Sequence, residues 1–301
     1  SLRSLGGGSP APDLTVVAGR VRARPANRAV VPLLLALPFV VMIAALRGMT
    51  VALPIFHGSD ELAYHYPTIL QFSHQLPFPD LHSYPAAQTP LFHLLMAYVG
   101  KVIGYQLWKL RLLQVLISYL LALAVYRLLH ARLGLTRNIA LALTFLFVIS
   151  PYVFGQAFRL DTDNLALLFV VLAIERFERF RETDRLGPFV AGCAYTALAM
   201  LTRQSTTFLV ALAAGYALRP AARMPPRDRV VALAAVVVSA VPVGLLFLNW
   251  HGLVPIGGDP SSCGLCAKGS GLSTSGLEVP TMELLLATIG LYGLVLFAPQ
   301  L

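Results

Sequence analysis

Apolar runs recur along this chain at a density that no water-soluble core can absorb. Eight of them are Val30–Leu46, Leu107–Leu129, Ile139–Phe158, Leu165–Ile174, Pro188–Leu201, Thr206–Leu218, Val230–Asn249 and Met282–Ala298. A helix that spans a bilayer needs about 20 mostly apolar residues, and several of these runs approach that length. Only 12% of the residues are charged, against about 25% in soluble domains. A soluble globular enzyme and a disordered chain are both excluded on that ground. The pattern predicts an all-α polytopic transmembrane helical bundle of about eight spans. A ninth stretch, Pro90–Ile103, is short and carries Lys101.

The basic residues orient the bundle. In a soluble protein a net charge of +9 raises nucleic-acid binding. Here the arginines cluster between apolar runs, so topology explains them and no nucleic-acid partner is expected. If Pro90–Ile103 does not cross, 16 of the 23 basic residues lie on the cytoplasmic side, as the positive-inside rule requires. If it crosses, the three later Arg clusters invert. The stretch is therefore expected to be an interfacial or re-entrant helix in the first outer loop. Residues 1–28, with Arg20, Arg22, Arg24 and Arg28, read as a disordered basic cytoplasmic tail, and 29–301 as one membrane domain with outer loops at about 50–106 and 250–280. The first run exceeds the roughly 7–15 residues of a signal-peptide core, so it reads as a retained anchor. A start at Ser1 and a stop just after an apolar run suggest a fragment truncated at both ends.

With that orientation, the charged residues that could carry chemistry gather on the outer face. Asp60 and Glu61 follow the first span almost at once. A partly desolvated carboxylate there can act as general base for a hydroxyl; the pair can equally cap the next helix. Asp161 and Asp163, beside Arg159, have a spacing that can hold a divalent cation or N-cap the helix starting near Asn164. Arg203 and Gln204 interrupt the apolar stretch 188–218 near its middle, forcing a tight outer turn. An Arg at that place either lines a polar site and forks onto phosphate or snorkels to the headgroups. Asn249-Trp250-His251-Gly252 leads to Gly257-Gly258-Asp259, where glycines let backbone approach a ligand; a plain outer loop is the alternative.

Five histidines (His57, His65, His74, His82 and His93) fall in the first outer loop without a standard zinc spacing, and read as interfacial polar filling. Three cysteines are too few for a disulfide framework. Cys263 and Cys266 form a lone pair, either an outer disulfide or half a metal site.

Taken in order, these stretches resemble the polytopic GT-C glycosyltransferases, and most closely the dolichyl-phosphate-glucose α-1,2-glucosyltransferase family. That family has an Asp-Glu pair soon after its first span, followed by an aromatic residue and a His; Asp60-Glu61 and Tyr64-His65 are similar. Gln88-Thr89-Pro90-Leu91-Phe92 resembles the stretch that opens a helix there. Leu160 to Asp163 resembles its Tyr-Thr-Asp motif, and Thr202 to Thr206 its Phe-Arg-Gln-Thr-Asn motif. Asn249 to Asp259 resembles its Asn-Gly-Gly-Ile-Val-Gly-Asp loop, with Pro260 where the family carries Lys.

The resemblance implies inverting transfer of a hexose, glucose first, from a polyprenyl or dolichyl phosphate to an acceptor hydroxyl on a lipid-linked or other glycan, at the extracytoplasmic face. It implies Asp60 as general base with Glu61 orienting, Arg203 on the leaving phosphate with help from His251, and Asp161, Asp163, Gln204 and Asp259 binding substrate. No cofactor is implied, a divalent metal ranking below none. A prokaryotic plasma membrane is preferred over the endoplasmic reticulum. The competing class is a transporter or flippase, but its charges belong near the membrane mid-plane, whereas these gather at outer helix ends.

Overall fold

The computed structural model describes residues 30–46, 60–219 and 225–256, and there the apolar runs fold into ten α-helices. They are α1 (Val30–Ala45), α2 (Tyr66–Gln75), α3 (Leu91–Ile103), α4 (Leu107–Arg127), α5 (Arg137–Val148), α6 (Pro151–Gln156), α7 (Asp163–Thr183), α8 (Leu186–Thr202), α9 (Phe208–Leu218) and α10 (Pro226–Trp250). A π-helical turn, Glu61–His65, leads into α2; another, Leu128–Arg132, extends α4; a 3₁₀ turn, Gln204–Thr207, leads into α9. The tail, the expected last span Met282–Ala298, Asp259 and the Cys263–Cys266 pair lie outside the described residues.

The side chains facing outward give the membrane reading independent support. Leu33 is 70% exposed on α1, and Val230 and Leu248 are 67% and 72% exposed on α10, with Val237, Val238 and Leu245 also open. Apolar stripes of this extent are untenable in water and suit lipid. By length and composition two helices can cross a bilayer unaided, Leu107–Arg132 and Pro226–Trp250.

Two expected spans take a different form. Ile139–Phe158 is cut into α5 and α6 at Ile149–Ser150. Pro151 has no N–H to continue the ladder, and the Ser150 hydroxyl accepts from the Val153 N–H to start α6 afresh. Leu165–Ile174 grows at both ends into the 21 residues of α7. Its polar end survives because Glu175 is ion-paired with Arg127 and Arg132, and Glu182 with Arg132. Asp184, in the left-handed region at φ 50°, closes the helix and pairs with Arg219.

α7 packs along α8, α8 against α10, α4 against α7, and α1 against α4. Between α7 and α8 the spacing is set by Gly192, where a Cβ would stand 2.5 Å from the ring of buried Phe177. A second core, around Ile69, Phe72, Tyr84, Phe92 and Met96, packs the segment 66–103 onto α4 and the start of α7. That segment is also tied to α10: the Trp250 indole N–H donates to the Leu81 carbonyl, and Ser83 forms an isolated parallel bridge with Ile256. Charged groups thus collect at two ends of the bundle. Arg111 and Arg127 mark them on α4, about 24 Å apart along the helix axis.

Candidate active site

Glu61 lies in the first turn after Asp60 and is buried, as is Arg111 at the start of α4. The two form a bidentate pair, with Arg111 Nε donating to Oε1 at 3.0 Å and Nη2 to Oε2 at 2.6 Å. The Leu160 N–H adds a third bond to Oε1 at 2.8 Å. All of these bonds are made to the protein, so Glu61 welds the π-turn to α4 and to the strand of chain entering α7. These bonds fix the backbone directly after Asp60. Arg111 was hidden inside an apolar run; a charge within a span is itself the signal of such a role.

The loop that enters α7 carries the next layer. The Asp161 carboxylate accepts from the Asp163 N–H at 3.3 Å, so it caps α7. It also pairs with Arg159 Nη2 at 3.2 Å. Arg159 is held in turn by Gln156, whose amide also reaches Asp163. Of the two alternatives for this motif, the capping bond is present in the structure. Among the described residues no three His, Cys, Asp or Glu side chains converge as metal ligands would.

Arg203 ends α8 in an extended conformation (φ −154°), which turns its side chain onto the start of α7. Its Nη1 contacts Asp163, Thr162 at 3.4 Å and Asp161 at 3.9 Å. All three contacts use Nη1. Guanidinium has five donors, so among the described residues the Nε and Nη2 N–H groups are left open to a ligand, and the side chain is 31% exposed. Beside it opens a cleft of about 160 Å³ whose lining includes both the polar Asp163, Arg203, Ser205 and Thr206 and the apolar Ala166, Leu167, Val170 and Phe208. Gln204 is spent on architecture. Its amide N–H donates to the Ala87 carbonyl at 2.7 Å and its carbonyl accepts from the Thr89 N–H at 3.3 Å. It clamps the chain before α3 to the α8–α9 turn.

Asp60 is half-buried at the head of this layer. The neighbouring His65 ring registers four charges at once: Asp161 and Asp60 raise its proton affinity, and Arg203 and Arg159 lower it. Burial outweighs them and holds His65 below the usual histidine range. Asp161, Asp163, Arg159 and Arg203 thus form one charged cluster, and Asp60 acts with Asp161 on the same His65 ring. His251 is not among its described contacts; it ends α10 in the left-handed region at φ 53° with its side chain exposed. Asp259 lies outside the described residues.

The sequence profile of the dolichyl-phosphate-mannose-protein mannosyltransferase family matches residues 87–247, more than half of the chain. The chain belongs to this family. It is a membrane glycosyltransferase of the GT-C class that takes its sugar from a polyprenyl phosphate. The matched region holds Arg111, Asp161, Asp163, Arg203 and Gln204; Asp60 and Glu61 precede it and His251 follows it. No curated protein and no solved structure matches the chain.

Proposed function

We propose that this protein transfers a hexose from a polyprenyl phosphate to an acceptor hydroxyl at the extracytoplasmic face of a prokaryotic plasma membrane, with inversion. The observation that carries the reading is Arg203: one guanidinium nitrogen anchored to Asp163, two left over, at the edge of a cleft lined in part by apolar side chains. That arrangement suits a phosphate on a lipid chain, because the apolar residues can pack against the isoprenoid and the spare N–H groups can donate to phosphate oxygens.

Asp60 is the general base in this reading. It takes the proton of the acceptor hydroxyl as that oxygen bonds to the anomeric carbon, while the bond from that carbon to the phosphate oxygen breaks and the lipid phosphate leaves against Arg203. Attack from the face opposite the leaving group inverts the anomeric centre. Asp161 and Asp163 hold Arg203 in place and offer acceptors to sugar hydroxyls; Asp259 and His251 complete the donor site from the following loop. The membrane domain, 29–301, crosses about eight times, with the basic tail inside. Motif order favours glucose as the sugar, and the family description favours mannose with a protein acceptor.

The test offers the full-length protein a panel of radiolabelled polyprenyl-phosphate glucose, mannose and other hexoses with membrane extract, beside Asp60→Asn. Wild type is expected to move label from one donor into a new product, and Asp60→Asn to lose about 10²–10⁴ in turnover with donor binding intact. Turnover of the variant within about tenfold, under roughly 1.4 kcal/mol of barrier, removes Asp60 from the role.

A further inference from the structure

His65 and His93 take no part in the chemistry above, yet they are paired beside it. His65 closes the π-turn after Glu61, and His93 stands in the first turn of α3. Their rings stack with centroids 5.2 Å apart and planes 18° apart. His65 Nδ1 lies 2.9 Å from His93 Nε2. Both rings are buried, His93 completely, with Phe72, Tyr84 and Phe92 around them. The other nitrogen of His93, Nδ1, is buried without a hydrogen-bond partner.

One proton bridges the pair, and it can belong to either ring. If His65 donates from Nδ1, neutral His93 must carry its own proton on Nδ1, an N–H sealed in an aromatic box with no acceptor. If His93 donates from Nε2, its Nδ1 is a bare lone pair, and His65 carries its proton on Nε2. Orphaned buried N–H groups are rarer than orphaned acceptors, which selects the second arrangement. The surroundings select it again. The strongest charge acting on His65 is Asp161, followed by Asp60, which favours a protonated nitrogen, and with Nδ1 occupied by His93 that nitrogen is Nε2. A second nitrogen fixing the tautomer of the first is how metal sites and catalytic dyads prepare an imidazole.

We propose that His93 locks His65 as the Nε2–H tautomer, and that His65 thereby serves as a neutral hydrogen-bond donor to an oxygen of the sugar phosphate bound beside Asp161. The identity of the ligand rests on the transferase reading; the tautomer does not. His93 is a positioning residue, acting only through His65.

Two measurements test it on the full chain in proteoliposomes. Solid-state ¹⁵N NMR of histidine-labelled protein reads the tautomer directly, with His65→Gln identifying the His65 signals. The expected result is a protonated Nε2 and a bare Nδ1 on His65, becoming a mixture of tautomers in His93→Phe, which keeps the aromatic volume. A proton on Nδ1 in wild type, or an unchanged ratio in His93→Phe, overturns the lock.

The second measurement is donor KM. His65→Phe is expected to raise it about tenfold, as loss of one hydrogen bond does, measured at a temperature where the variant is still folded, because it also strands the buried His93 N–H. His65→Gln, whose amide N–H reaches the Nε2 position, should recover most of the loss. Equal KM in wild type, His65→Phe and His65→Gln refutes the donor role while transfer itself stands. A wild type that consumes no polyprenyl-phosphate sugar refutes the transferase reading and the ligand with it, and leaves the tautomer to be judged by NMR.

Discussion

Replacing Glu61 with Gln tests the scaffold of the site most directly. Glu61 and Arg111 are only 4% and 5% exposed at their side chains, and two bonds of 2.6 and 3.0 Å join them. Gln keeps one acceptor, enough for the Leu160 N–H, but its amide NH₂ faces a guanidinium N–H and its charge is gone. Arg111 then loses the charged half of its bidentate partner while still buried. Breaking a buried pair from one side costs about 3–5 kcal/mol, a large share of the 5–15 kcal/mol that typically holds a protein folded. Removing both charges, Glu61→Gln with Arg111→Met, leaves no stranded ion, so the double variant should recover at least about 2 kcal/mol of the summed single costs. Unfolding by SDS titration in mixed micelles reads the cycle. Trp108 sits beside Arg111 on α4 and Trp250 ends α10, so intrinsic fluorescence reports both flanks. Single variants within about 1 kcal/mol of wild type, or costs that add within about 0.5 kcal/mol, would refute the buried pair as the weld between Asp60 and the bundle.

Two further outcomes follow from the packing and the titrating groups. Gly192→Ala puts a methyl 2.5 Å from a Phe177 ring that is itself stacked on Tyr216 and tilted against Phe189. About 1–3 kcal/mol of stability should be lost with turnover per folded molecule unchanged, and wild-type unfolding would contradict the close α7–α8 contact. His65 and His93 are both held below the ordinary histidine value of 6.5 by burial, which for His65 outweighs the opposing pull of Asp161 and Asp60 and for His93 is reinforced by the His65 ring. The unfolded chain then binds more protons than the folded one, so stability is complete above pH 6.5 and falls as pH drops below it. The slope reaches at most about 2.7 kcal/mol per pH unit for two protons. His93→Phe should flatten it, and identical slopes in melting experiments between pH 5 and 7 would deny the pair its burial.

The sequence made the helices readable wherever hydropathy alone decides them: α1, α8, α9 and α10 lie within a few residues of their apolar runs. It was less informative where polar atoms are satisfied by distant partners. The last turns of α7 carry Glu175, Glu178 and Glu182, which look like a loop until Arg127, Arg132 and Arg181 are seen to neutralise them. Arg111, Gln114, Ser118 and Asn164 were likewise invisible as a network. Each is one polar residue in an apolar run, and only folding brings Gln114 to the Asp161 carbonyl and Asn164 to Ser118. Among the site residues, Asp161, Asp163 and Arg203 were named from spacing and meet in space. Glu61 and Gln204 were named too, but spacing cannot tell a side chain that waits for a ligand from one already bonded to backbone. His65 and His93, 28 positions apart, carry no local pattern that announces a pair.

The tie between the outer segment and α10 has a consequence for building chimeras. Leu81, His82 and Ser83 are fastened to Asn249, Trp250 and Ile256, and both parties lie outside the stretch 87–247 that the family profile matches. The cap over the site is therefore a unit of exchange made of two pieces of chain distant in sequence. A graft that carries residues 60–89 into a related scaffold must carry 249–256 with it; either piece alone would arrive with its half of the fastening and nothing to close on.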